Sequence, residues 1–152
     1  MTVSFKSIAS WSILWLMVIQ FVPLQRINPP ADSEIQLPDT IKSFLKQACY
    51  DCHSNETRWT SIAYVAPVSW LTVSTVASGR TALNFSTWNN TNNTKIKRSR
   101  SKIRSVILEG TAHQRIYYFM EPSAKLTESQ SRELLQWLKA TFEKQESTGF
   151  KN

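Results

Sequence analysis

The chain has 152 residues and a mass of 17.5 kDa, which is room for one domain of ordinary size. With 41% hydrophobic, 11% aromatic and 19% charged residues, it is too apolar for a disordered chain. Three glycines, and no GxGxxG or Walker-type glycine-lysine run, argue against a phosphate-cradling loop. Two cysteines and two histidines leave a short list for metal or nucleophile chemistry. The net charge of +7 is local: six basic residues fall between Lys95 and Arg104, and setting them aside leaves +1 for the remainder.

Residues 1–6, carrying Lys6, are expected as a short cytoplasmic amino terminus. Residues 7–25 then hold no charge, and as a helix these 19 residues would span about 28 Å, close to the hydrocarbon thickness of a bilayer. Trp11 and Trp15 toward one end and Phe21 toward the other suit the membrane interfaces. The segment reads as an uncleaved transmembrane anchor. A core helix would show more polar positions, and a cleaved signal would need an A-x-A-like site that the stretch through Asp32 does not offer. The positive charge on the short side puts the amino terminus in the cytoplasm and the larger portion outside it.

Residues 26–37 read as a stiff linker, because Pro29 and Pro30 disfavour helix. A single folded domain is expected over 38–145, with 146–152 as a tail. Its first helix begins after Pro38, capped by Asp39 or Thr40, with Ile41, Phe44, Leu45 and Ala48 on one face. A second helix is expected from Pro67 to a stop before Gly79. The Asn/Thr-rich stretch Leu83–Thr94 reads as loop, and Lys95–Leu108 as a helix ended by Gly110. Thr127 and Gln130 form a capping box for a last helix whose apolar stripe is Leu134, Leu135, Trp137, Leu138 and Phe142. No segment alternates at period two, so the class is mainly α: an N-terminal transmembrane helix followed by a helical domain.

The chemistry lies in Cys49-Tyr50-Asp51-Cys52-His53, a C-x-x-C-H attachment signal for c-type haem. Two cysteines three apart on a helical turn share a side, so both thiols reach the two vinyl groups of one porphyrin. The histidine that follows can place its imidazole beneath the iron. Three other readings weigh less: a dithiol redox pair without the usual preceding strand, a zinc site from Cys49, Cys52, His53 and His113, and chance. A backbone carbonyl near Pro67 is expected to accept the His53 N–H and fix its tautomer. Trp59, Tyr64, Trp70, Tyr117 and Tyr118 are expected to line the pocket, and Arg58 or Arg80 to meet a haem propionate.

From Asn28 onward the chain resembles the haem-binding-domain family of small, membrane-anchored bacterial c-type cytochromes. The resemblance is carried by Cys49–Trp59, Tyr64–Leu71, Gly79–Trp88 and Ala124–Leu138. It implies a cytochrome-c-like α fold, one covalent haem c on Cys49 and Cys52, and His53 as proximal iron ligand. The family pattern also has a Met-Pro pair soon after a Glu-Gly dipeptide, its methionine being the distal ligand. Here Glu109-Gly110 is followed by Thr111-Ala112-His113-Gln114, and the methionine slot falls at Ala112. The distal candidates are therefore His113, one residue along, and Met120, seven residues before Thr127.

No Ser-His-Asp set or carboxylate pair falls into one pocket, so no catalytic residue is assigned. The expected function is electron transfer between membrane-bound or periplasmic redox proteins, with the domain on the periplasmic face of a bacterial inner membrane. Two alternatives stay open: a haem-based sensor with an open distal site, and a non-catalytic subunit of a membrane redox complex. The Lys95–Arg104 arm suits an acidic redox partner or a solvated helix face. Nucleic acid is disfavoured, since the arm lies outside the cytoplasm in this topology.

Overall fold

The computed structural model describes residues 4–110 and 115–148, with 115, 116, 120 and 142–148 described by their backbone alone. Among the described residues the fold is helical and has no strand. Helix α1 covers Phe5–Val18 and passes into a 3-10 turn at Ile19–Phe21. It is shorter than the 7–25 expected. Val22, placed before Pro23, takes the extended backbone (φ −67°, ψ 115°) that a following proline imposes, and the helix cannot continue through it. No helix among the described residues is long and apolar enough to cross a membrane. None of the α1 residues is buried, and Trp11, Trp15, Leu16 and Met17 are all exposed.

Residues 26–37 form no helix, yet they are laid along the helical body. Ile35 N donates to Phe85 O at 3.0 Å, Asn89 N to Ser33 O at 3.0 Å, and Asn55 Nδ2 to Pro30 O at 2.7 Å. The stretch works as a strap. Helix α2, Asp39–Ala48, buries Ile41, Leu45 and Ala48 as its spacing predicts. The expected Asp39 or Thr40 cap is absent: Pro38 takes the cap position, and Asp39 sits in the first turn, where its charge favours the helix dipole.

Helix α3 is the four-residue turn Tyr50–His53, and α4 runs from Val68 to Ala82. The stop expected before Gly79 does not occur. Leu83–Thr94 is more ordered than a loop, because Asn84 Oδ1 accepts from Ser86 N at 2.9 Å and starts a 3-10 stretch, Phe85–Asn90. That stretch buries Phe85, Ser86 and Trp88. Helix α5, Asn93–Glu109, is capped by Asn92 and ends at Gly110, whose φ of 63° is the left-handed closure glycine permits. Helix α6 covers Arg115–Met120, and α7 covers Glu128–Thr148 behind the expected capping box. There Gln130 N donates to Thr127 Oγ1 at 3.2 Å, and Thr127 N to Gln130 Oε1 at 2.8 Å.

One apolar core joins these pieces: Ile41, Leu45, Tyr50, Phe85, Trp88, Leu134 and Leu138. The Phe142 side chain lies outside the described residues. Tyr50 stacks on Phe85 at 5.3 Å between ring centres, and Phe85 on Trp88 at 6.1 Å. The Tyr50 hydroxyl leaves the core by donating to Glu34 Oε1 at 2.9 Å, while Lys42 holds the other oxygen at 2.7 Å. Burial alone would raise the Glu34 pKa, but hydrogen bonds from Lys42 and Tyr50 overcome it and hold the carboxyl below its ordinary range. Its contribution to stability is therefore present above the ordinary carboxylate range and fades as pH falls through the lowered value.

Candidate functional site

The fold places Cys49, Cys52 and His53 on a single turn. Cys49 caps α3 from outside, Cys52 is buried within it, and His53 closes it, with His53 N bonded to Cys49 O at 2.9 Å. Both thiols are free. Burial pushes the Cys49 thiol up to about 12, with the neighbouring Cys52 adding to the rise. Burial, then the Asp51 charge, brings Cys52 to about 11 against an opposing pull from Arg80. At neutral pH both are protonated thiols rather than reactive thiolates.

The His53 ring is fixed from the α4 side. Its Nδ1 lies 3.0 Å from Gly79 O and 3.2 Å from Leu83 O. Both neighbours are carbonyl oxygens, which only accept, so Nδ1 carries a hydrogen, and in the neutral ring the lone pair is on Nε2. The acceptor expected near Pro67 is thus corrected. Pro67 precedes the first turn of α4, whereas the last turn, about 20 Å along the axis, passes the motif. Gly79 has a physical reason to be there. A Cβ built on it would collide with the Cys52 carbonyl oxygen, so only glycine lets α4 come this close to α3.

The residues after the motif hold it from the other end. Ser54 Oγ donates to Tyr50 O at 2.8 Å and accepts from Glu56 N at 2.9 Å. Thr57 Oγ1 donates to Asp51 O at 2.7 Å. The two arginines expected at propionates are engaged within the protein. Arg58 forks onto Asp51, Nε to Oδ1 at 3.1 Å and Nη2 to Oδ2 at 2.8 Å. Arg80 reaches Ser54 O, Ile27 O, Asn28 Oδ1 and Thr57 Oγ1, all between 2.8 and 2.9 Å. Tyr64 is over half exposed and lies under the Arg26 guanidinium at 4.6 Å, while Trp59 donates to Asn28 Oδ1 at 3.3 Å.

Helix α6 lies near the cysteines. Burial raises the Tyr117 hydroxyl pKa, and the charges of Asp51 and Cys52 add to it; Tyr118 is raised by burial and by Cys49. Of the two distal candidates, Met120 is the last residue of α6, with its side chain outside the described atoms. His113 lies outside the described residues. Among the described residues no three His, Cys, Asp or Glu groups cluster as a metal site; the zinc reading also draws on His113, which lies outside them.

A helical turn with two thiols, then an imidazole with a free Nε2 and a fixed Nδ1–H, fits a haem group and defines a helical haem-binding protein. The chain belongs to the haem-binding domain family, whose model matches residues 14–140. No curated protein and no solved structure matches it. The site roles of Gly79, Leu83, Asn28 and Thr57 are not among the sequence expectations, although Gly79, Leu83 and Thr57 lie in runs that carry the resemblance.

Gly79→Ala is expected to cost about 1–3 kcal/mol, because the added methyl forces α4 away from the Cys52 carbonyl. Urea unfolding of the two proteins side by side checks this. An unchanged midpoint would mean that the close approach is not needed.

Proposed function

We propose that the protein is a membrane-tethered, monohaem c-type cytochrome that carries electrons between redox partners. The observation that carries this reading is the His53 imidazole, fixed through Nδ1 by two carbonyls beside the paired thiols of one turn. When bound, the haem iron supplies a reversible one-electron change. His53 would offer Nε2 to that iron, and Cys49 and Cys52 would hold the haem by each adding its S–H across one vinyl double bond, sulfur to one carbon and hydrogen to the other. No oxidant is consumed. His113 and Met120 are the two side chains proposed for the sixth position.

Covalent attachment predicts that haem stays with the polypeptide through denaturation and acid–organic extraction. Replacing Cys49 and Cys52 together by serine is expected to release it. Free extraction from the unmodified protein would rule out the c-type reading.

The tether is supported by α1, whose apolar residues face outward all round with none buried. A helix of that kind needs an apolar surrounding. The 7–25 stretch is proposed to meet the bilayer, with the haem domain on the periplasmic side of a bacterial inner membrane. The protein is expected to stay in the membrane fraction after a high-salt wash, since salt screens charge contacts and leaves apolar burial intact. Release by the wash would contradict the tether.

The basic arm is proposed to dock an acidic redox partner. Lys97, Arg98 and Lys102 lie with Thr94, Ser101 and Ser105 along one outward stripe of α5. By contrast, Lys95 reaches back to Thr81 O at 2.9 Å and Arg100 lies 5.9 Å above the Trp88 ring. Lys97, Arg98 and Lys102 meet no carboxylate among the described residues. Electron transfer to the partner should then slow as ionic strength rises, and Lys97→Glu with Lys102→Glu should flatten that dependence. A rate indifferent to both would make the stripe a solvated face.

A further inference from the structure

Arg80 follows Gly79, the residue whose carbonyl accepts from His53 Nδ1. Its guanidinium spans two separate segments. Nε donates to Ser54 O at 2.8 Å, directly after the histidine, and Nη2 donates to Thr57 Oγ1 at 2.9 Å. Nη1 donates to Ile27 O at 2.9 Å, and Nη2 also to Asn28 Oδ1 at 2.8 Å, both on the strap. Asn28 closes the ring by donating Nδ2 to Thr57 O at 2.9 Å. Thr57 in turn donates its hydroxyl to Asp51 O, inside α3. The turn bearing His53 and the helix turn bearing its acceptor are therefore locked together by one planar fork.

All four acceptors are neutral, and no carboxylate among the described residues pairs with this cation. An arginine devoted to surface charge would not be arranged so. A lysine carries the same charge but reaches at most a subset of these acceptors, because its ammonium lacks the rigid fork. Gly79 adds the second constraint. With no Cβ between α4 and the Cys52 carbonyl, α4 packs directly on the motif, so a shift of α4 there changes the Gly79 oxygen's position relative to His53 Nδ1.

We propose that Arg80 is a positioning residue for the axial ligand: by locking Ser54 and Thr57 to α4, it sets the rotation of the His53 ring about the iron bond and keeps its Nδ1–H on Gly79. The proposal rests on His53 being an iron ligand. A strong Nδ1–H bond makes the imidazole a better donor and favours ferric iron. Loosening the lock therefore shifts the couple toward the ferrous form.

The experiment compares full-length wild-type, Arg80→Lys and Arg80→Gln proteins, each loaded with haem. In the ferric state, the order and spread of the haem-methyl NMR shifts report the plane of the axial imidazole. Arg80→Lys, which keeps the charge, is expected to change that pattern. It is also expected to move the ferrous-to-ferric ratio toward ferrous on the order of tenfold, about 59 mV for one electron. Arg80→Gln should show the same change of pattern at a lower potential than Arg80→Lys, since a positive charge that disfavours ferric iron is gone as well. If Arg80→Gln does not fold, the Arg80→Lys pattern alone decides. A wild-type pattern in Arg80→Lys overturns the positioning role. A wild-type protein without a histidine-ligated spectrum overturns instead the ligand reading beneath it.

Discussion

The arrangement depends on one close approach, that of the last turn of α4 to the backbone of α3. Gly79 sits against the Cys52 carbonyl with no room for a Cβ, and from that position its own carbonyl meets His53 Nδ1. Backbone packing and the orientation of a candidate iron ligand are thereby the same contact. A four-residue helix has almost no stability of its own, because its single turn fixes many dihedrals for very few hydrogen bonds. Tertiary contacts must hold it, and α4 supplies the largest share of them.

The two faces of that short helix are treated oppositely. Tyr50 points into the core, stacked on Phe85, with its hydroxyl satisfied by Glu34. Cys52 and His53 face α4 and the cationic Arg80. Residues 54–57, apart from the half-buried Glu56, are buried polar groups, which a core tolerates only when each finds a partner. They do: Ser54 on Tyr50 O, Thr57 on Asp51 O, Asn55 on Pro30 O and on Asn84. Such satisfied networks are costly to disturb, because losing one member leaves another buried without a partner. The motif is thus held rigid by polar bonding on one side and by aromatic packing on the other.

Much of this was legible in the residues, and the gaps have physical causes. The C-x-x-C-H spacing is local, and so are the Thr127 box, the α2 stripe and the Gly110 closure, so each can be read from neighbours in the chain. Gly79 misled because a glycine near a helix end usually closes it. What set its identity was Cys52, 27 positions earlier in the chain, which no local rule sees. Arg80 misled in the same way. A charged side chain beside a haem motif suggests a propionate, whereas its partners come from the strap and the loop after the motif. The Leu83–Thr94 stretch looked like loop from its Asn and Thr content, yet Asn84 is the cap that turns Phe85 and Trp88 inward. Helix α1 ends early for a reason that was available, since Pro23 restricts the residue before it.

The two ends of α4 link parts of the chain that the sequence keeps far apart. Before its first turn, Ala66 exchanges two hydrogen bonds with the Gln20 amide, N to Oε1 at 3.0 Å and Nε2 to O at 3.2 Å. Arg26 adds a bond to Ala63 O at 2.7 Å. At its far end the carbonyls of Gly79 and Leu83 hold His53. Gln20 stands between apolar neighbours, and its side chain serves both this join and the Leu16 carbonyl, to which Nε2 donates at 3.0 Å. An unsatisfied amide there would cost free energy in any apolar surrounding, so its pairing with a backbone peptide is a strong constraint on geometry. The segment just before α4 therefore holds the residues that follow α1, while the last turn of α4 holds the imidazole.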